Sequence, residues 1–175
     1  KSHSRHILNL PQQLEAVLGW ALKQDLPRLE FLTAKVAGRH GVHRPELVKI
    51  HRIVVGLMAE LEALCAYFAA ERMTSLERRE LETIHEQLRR LIQSGDPQRY
   101  HEVNEVFHST IYSGAHNSYL VEMTLTTRGR VQPFRRAQFR NLGRLAKSHF
   151  EHDRVVEAIL RGDRSTAAQT MHAHI

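Results

Sequence analysis

The sequence predicts a mainly α protein: an antiparallel bundle of six to seven helices over residues 56–175, preceded by a small, incomplete winged helix-turn-helix domain over residues 1–55. Three observations predict it. From Leu57 onward apolar residues recur every three or four positions, the spacing that lines one face of a helix. Capping and glycine signals at Thr74, Gly95-Asp96-Pro97, Gly114 and Gly162-Asp163 cut that span into helix-sized pieces with short links. Near the start, Ala37-x3-Gly41-Val42 has the small residue, turn glycine and apolar anchor of a helix-turn-helix.

Composition narrows the class without choosing a function. The chain has 175 residues, 42% of them apolar and 25% charged, which suits one domain or one domain with a small companion. No uninterrupted apolar run reaches the length of a membrane span and no signal peptide opens the chain, so a cytoplasmic protein without membrane contact is expected. The chain opens on Lys1, so further residues are expected ahead of it. The single cysteine, Cys65, excludes an internal disulfide and sits among apolar neighbours as a small buried hydrophobe. A net charge of +6 permits a polyanionic partner. Histidine is abundant, at 13 residues, so only position can separate ligands from surface.

In the head, Leu14, Val17, Leu18, Ala21 and Leu22 predict a helix entered through Pro11, and Pro27 opens a second that stops at Gly41. Arg39, His43 and Arg44 cluster at the turn and are the candidate DNA contacts. Residues 46–55, Glu-Leu-Val-Lys-Ile-His-Arg-Ile-Val-Val, are rich in β-branched side chains and read as two strands of a wing. On that reading a recognition helix and a wing tip are missing. The alternative is one long helix from Pro45 to Met73.

In the body, Leu57, Leu61, Leu64, Cys65 and Phe68 form the first helical stripe, with Glu60, Glu62 and Glu71 mostly off it. Thr74-Ser-Leu-Glu77 is a capping box, and Leu81, Ile84, Leu88, Leu91 and Ile92 face inward beyond it. Asp96 and Pro97 start a helix carrying Tyr100, Val103, Asn104, Phe107, His108 and Ile111 on one side. Asn117 or Ser118 caps a long helix with Leu120, Thr124, Thr127, Val131, Phe134 and Gln138 in a stripe, kinked at Pro133. His152, Val155, Val156 and Ile159 line the next. Asp163 caps the last, with Ala167, Ala168, Met171, His174 and Ile175 inward.

Four residues on these inner faces suggest a metal site. Asn104 and His108 are one turn apart and point the same way, while His152 and His174 are each in phase with the apolar stripe of a separate helix. Three imidazoles and an amide oxygen could converge inside a bundle. Singly, each histidine is more simply a hydrogen-bonded rim residue. His101 and His149, one turn before Asn104 and His152, read as supporting or solvent-facing; His172 is out of phase, and His85 and His116 belong to no constellation. Nitrogen and oxygen donors without thiolate suit a divalent transition metal, zinc first, with nickel, manganese or iron as alternatives.

The chain resembles the FadR branch of the GntR transcription regulators across residues 56–175. Met58 through Ala69-Ala-Glu-Arg-Met-Thr74 is similar to that branch's first regulatory helix. Asn104-x2-Phe107-His108 through Gly114-Ala-His-Asn117, and Glu151-His152-x3-Val156-x-Ala158-Ile159 through His174-Ile175, resemble its metal-binding phrases. The match of residues 10–55 to the family's winged helix-turn-helix is weaker. The resemblance places Asn104, His108, His152 and His174 at the ligand positions. The family most often has aspartate where this chain has Asn104. Three neutral histidines and an amide leave a cation's charge uncompensated, so an anionic effector such as a carboxylate is expected to complete the shell.

The implied protein is a cytoplasmic homodimer that binds operator DNA and responds to a small carboxylic acid. Arg128 or Arg135 would fork onto the effector carboxylate, and Thr124 and Thr127 would add hydroxyls. The rival readings are a metal-dependent hydrolase or isomerase and a metal-sensing domain without DNA binding. Against the enzyme, Glu105 is expected to face away from His108 and Glu151 to lie on a different face from His152, leaving no general base.

Overall fold

Six helices, joined by links of a few residues, account for nearly all of what the structure describes. It is a computed structural model covering residues 44–138 and 142–175, with side chains described over 53–129 and 144–175. The helices are α1 (Arg44–Arg72), α2 (Ser75–Ser94), α3 (Pro97–Gly114), α4 (Ser118–Gln138), α5 (Leu142–Leu160) and α6 (Arg164–His174). No strand occurs among the described residues. The chain divides into two compact units, Lys1–Arg52 and Ile53–Ile175. The expected helix-turn-helix, with Arg39 and His43, lies outside the described residues, as do the side chains of Arg44 and Arg135 and the stripe beyond Arg130.

The expected wing does not form. Residues 46–55 are not wing strands; they belong to α1, a single helix of 29 residues. The β-branched run Ile53-Val54-Val55 costs only a few tenths of a kcal/mol per residue in helix propensity, roughly, and cooperative extension from the apolar stretch that follows outweighs it. The gap inferred in the head rested on the strand reading and loses that support.

Local signals set the helix ends as expected. Thr74 and Glu77 form the reciprocal capping box, and Gly95 closes α2 at φ 70°. Asp96 Oδ1 accepts the Arg99 N–H at 2.9 Å ahead of Pro97, and Asp163 Oδ1 accepts the Thr166 N–H at 3.0 Å. Asn117, rather than Ser118, caps α4 by accepting the Leu120 N–H at 3.1 Å.

Helix α2 packs on α3 and α5, α3 also packs on α4 and α5, and α6 lies on α5. The core joins Ala66, Ala69 and Ala70 of α1 to Leu81 and Leu88, Tyr100, Phe107 and Ile111, Val155 and Ile159, and Met171. Arg78 fastens the ends of two helices. Its guanidinium donates to the carbonyls of Ala70 (2.8 Å), Met73 (3.2 Å) and Ile159, placing a cation against the carbonyl ends of α1 and α5.

The inner face of α1 is wider than the predicted stripe. Leu61, Leu64 and Cys65 are buried as expected, and Met58, Glu62, Ala66, Ala69 and Met73 are buried with them, whereas Leu57 and Phe68 are only half-buried. Ile53–Arg72 is also long and apolar enough to cross a membrane by length and composition, contrary to the sequence expectation; more than half of it is buried inside the bundle. Its Glu60 and Glu62 make side-chain ion pairs with His172 and Arg128.

Candidate metal centre

Three helices each bring one histidine to a common point. His108 projects from the middle of α3, His152 from α5 and His174 from the last turn of α6. All three are buried, and each offers a ring nitrogen within 4.8 Å of the others. His152 Nε2 and His174 Nε2 are 3.2 Å apart, and the His108 ring centroid is 5.3 Å from both neighbours. Phe107 stacks on His152 at 4.2 Å and closes one side with an apolar ring.

Two carboxylates stand beside the imidazoles. Glu62 Oε2 is 3.0 Å from His108 Nδ1, and Glu151 Oε2 is 2.8 Å from His174 Nδ1. With His174 Nδ1 bonded to Glu151, its Nε2 is the nitrogen left to face the cluster, the tautomer a metal-binding histidine uses; Glu62 stands beside His108 as a charge neighbour. Both acids were expected elsewhere: Glu62 off the inner stripe and Glu151 on another face. Glu62 is instead wholly buried. It lies in phase with Met58, Cys65 and Ala69, a register that choosing the leucines as the stripe's centre concealed.

Electrostatics keep His152 uncharged. Burial, reinforced by the neighbouring His174 and His108, holds His152 well below the usual histidine range. Partial burial works against ionisation of Glu151, but hydrogen bonds from His174 and Arg144 outweigh it and hold the carboxyl at about 2. A neutral imidazole is the form that binds a cation.

Asn104 supplies the test of fit. It lies one turn before His108 on α3, is wholly buried, and neither its Oδ1 nor its Nδ2 has a hydrogen-bond partner; His152 Nδ1 is likewise unpartnered. Leaving a buried amide unsatisfied costs about 1–3 kcal/mol. A cation held by the three histidines and coordinated by Asn104 Oδ1 would relieve half of that deficit. The donor set therefore fits a divalent transition metal.

Arg128 is placed differently from its expected role. It is buried in α4, where Nη1 donates to Glu62 Oε1 at 2.7 Å and to Tyr112 Oη at 2.9 Å, while Nε and Nη2 fork onto Glu105 at 3.1 and 2.9 Å. Four of its five N–H groups are thus committed within the fold. Glu62 couples the two parts, with one oxygen on Arg128 and the other on His108. Glu105, expected to face away from His108, is the partner of Arg128. Thr124 and Thr127 spend their hydroxyl protons on the carbonyls of Leu120 (2.7 Å) and Met123 (2.9 Å). His172 is exposed, as its phase implied, and His101 is buried. His85, assigned to no constellation, stacks on His149 at 4.2 Å and pairs with Asp153.

Comparison with known proteins agrees with this architecture. The model of the FCD domain, the C-terminal regulatory domain of GntR-type regulators, matches residues 54–175. The chain belongs to the FCD-domain family. Among solved structures, it is similar to E. coli McbR/YncC, a GntR-family regulator, with a TM-score of 0.65 at 23% identity. That similarity covers 77% of this chain and 66% of the other, just under two thirds of its length, and at this identity it speaks to the fold. No curated protein matches the sequence. An FCD domain is a regulatory domain rather than an enzyme.

Proposed function

We propose that this chain is a ligand-responsive transcription regulator whose FCD domain holds a divalent metal on His108, His152 and His174, with Asn104 as the weak fourth ligand. The observation that carries this reading is the convergence of three buried imidazoles beside an amide with no other partner. A metal bound there would supply a Lewis-acidic point for a small carboxylic acid. Zinc suits three nitrogens and one oxygen best, with nickel, manganese and iron as alternatives. Glu62 and Glu151 stand behind His108 and His174, and because Arg128 and Arg144 already pair with these acids, the charge that Asn104 leaves uncompensated falls to an outside anion.

The effector is a small carboxylate. Arg128 is the cationic partner proposed for it, with Arg135 further along α4. Because Arg128 is already forked onto Glu105, an incoming carboxylate reaches it by displacing Glu105, and α3 and α4 then lose a direct tie. Thr124 and Thr127 offer oxygen lone pairs rather than protons, a weaker contribution. The head over residues 1–55 contacts operator DNA through Arg39, His43 and Arg44. Two copies of the cytoplasmic chain bind a palindromic site.

The test is DNA binding by fluorescence anisotropy with a palindromic operator fragment taken from upstream of the encoding gene. Salt-sensitive binding that a small carboxylic acid changes in the metal-loaded protein, and not in the metal-stripped one, supports the reading. An acid response unchanged by metal removal would sink it.

A further inference from the structure

We propose that the bundle carries a second, outer site for a divalent transition metal, formed by His85 of α2 with His149 and Asp153 of α5. His149 and Asp153 are one turn apart on α5 and so share a face. His85 reaches the same point from the neighbouring helix, and the three ligand atoms lie within 4.8 Å of one another. The Asp153 carboxylate spans the two rings. Its Oδ1 is 2.6 Å from His85 Nε2 and its Oδ2 is 3.7 Å from His149 Nδ1.

Donors about 2.1 Å from a tetrahedral ion lie about 3.4 Å apart. The His149–Asp153 separation of 3.7 Å is near that, while the carboxylate, hydrogen-bonded to His85 at 2.6 Å, must swing outward to admit an ion. The imidazoles are sheltered, with side-chain exposures of 13% and 11%, while Asp153 is half exposed at 51%. Two ring donors are therefore fixed by packing, and the carboxylate that must adjust is free to rotate. The two rings stack 4.2 Å apart, inclined by 11°, so packing holds them side by side. The nearest competing cation on α2, Arg89, is turned to Glu86 at 2.8 Å.

Two nitrogens and one carboxylate select zinc, nickel or cobalt over magnesium or calcium. With three protein donors the outer site keeps open positions for solvent, so its ion exchanges faster and binds more weakly than an ion enclosed by the three buried histidines. Occupancy would cross-link α2 to α5, the helix that also carries His152.

The experiment uses the untagged full chain, stripped with a chelator and titrated with cobalt(II). Stoichiometry is read by calorimetry and native mass spectrometry. Wild type is expected to take two ions per chain with unequal affinities. Asp153→Asn and His85→Ala should each lose the weaker ion and keep the tighter one, whereas His174→Ala should lose the tighter one. Asp153→Asn changes a half-exposed side chain and serves as the deciding variant if His85→Ala fails to fold. A single ion that His174→Ala removes and Asp153→Asn leaves in place overturns the proposal, as do two ions that survive both outer-site variants. A single ion lost in Asp153→Asn but kept in His174→Ala upholds the outer site and instead removes the three-histidine reading.

Discussion

Glu62 Oε2 lies 3.0 Å from His108 Nδ1, with both side chains wholly removed from solvent, and the other Glu62 oxygen holds Arg128 at 2.7 Å. One buried carboxylate thus joins a candidate metal ligand on α3 to a cation on α4. A carboxylate behind a metal-binding imidazole raises its basicity and fixes its tautomer. Glu62→Gln should therefore weaken zinc binding about 10- to 100-fold. Competition against a chromophoric chelator measures this, and an unchanged affinity would show that the carboxylate serves Arg128 alone.

Asn104 stands where a charged ligand would compensate the metal better. Asn104→Asp should tighten zinc binding and make it less dependent on added carboxylic acid, because the ion no longer needs an outside anion. Equal affinities for the two proteins in carboxylate-free buffer would remove the proposed role of the effector in completing the shell.

Arg128 neutralises Glu62 in the interior. Arg128→Met leaves that carboxylate buried and unpaired on one side, a change that costs about 3–5 kcal/mol when a buried ion pair loses one partner. Urea unfolding of wild type, Arg128→Met and Arg128→Met/Glu62→Gln checks it. The double variant should recover part of the loss, since its amide carries no charge to leave unpaired.

High pH should unfold the protein through two buried acids. Burial pushes the Cys65 thiol from 9.0 up to about 12, the hydrogen bond with Thr124 opposing it only in part. Burial likewise raises Tyr100 from 10.0 to about 12. In both groups the folded state holds the proton more tightly than the unfolded state. Their contribution is complete below pH 9, falls by about 1.4 kcal/mol per pH unit for each group past its unfolded value, and is gone above pH 12. Chemical denaturation from pH 8 to 11 should show the decline, with a shallower slope for Cys65→Ala. The same burial should leave Cys65 unreactive toward thiol reagents until the chain unfolds.

Gly114 ends α3 against Met73, where an added Cβ would lie 2.3 Å from the methionine Cε and 2.6 Å from its Cγ. Met73 is itself buried, so its side chain has little room to yield. Gly114→Ala should destabilise by about 1–3 kcal/mol, the usual cost of overpacking. Thermal unfolding of Gly114→Ala and Gly114→Ala/Met73→Ala tests it, with the second change expected to relieve the first.

The helices and the three histidines were legible in the chain because their determinants are local. A capping box at Thr74, an aspartate before Pro97 and a 3.6-residue stripe through Phe107 and His108 act within a turn or two of sequence. Residues 46–55 misled for the same reason: a β-branched run carries a strand preference that only the cooperativity of the whole of α1 overrides. The acids around the site could not be read that way. Whether Glu62 is a solvated charge or a buried partner depends on the rotation of α1 about its axis, which packing against α3 and α4 sets. His85 gained neighbours only when α2 met α5. Sequence determined which residues sit on which helix faces; the tertiary structure decided which faces meet, because burial and charge pairing are properties of the assembled bundle rather than of any one helix.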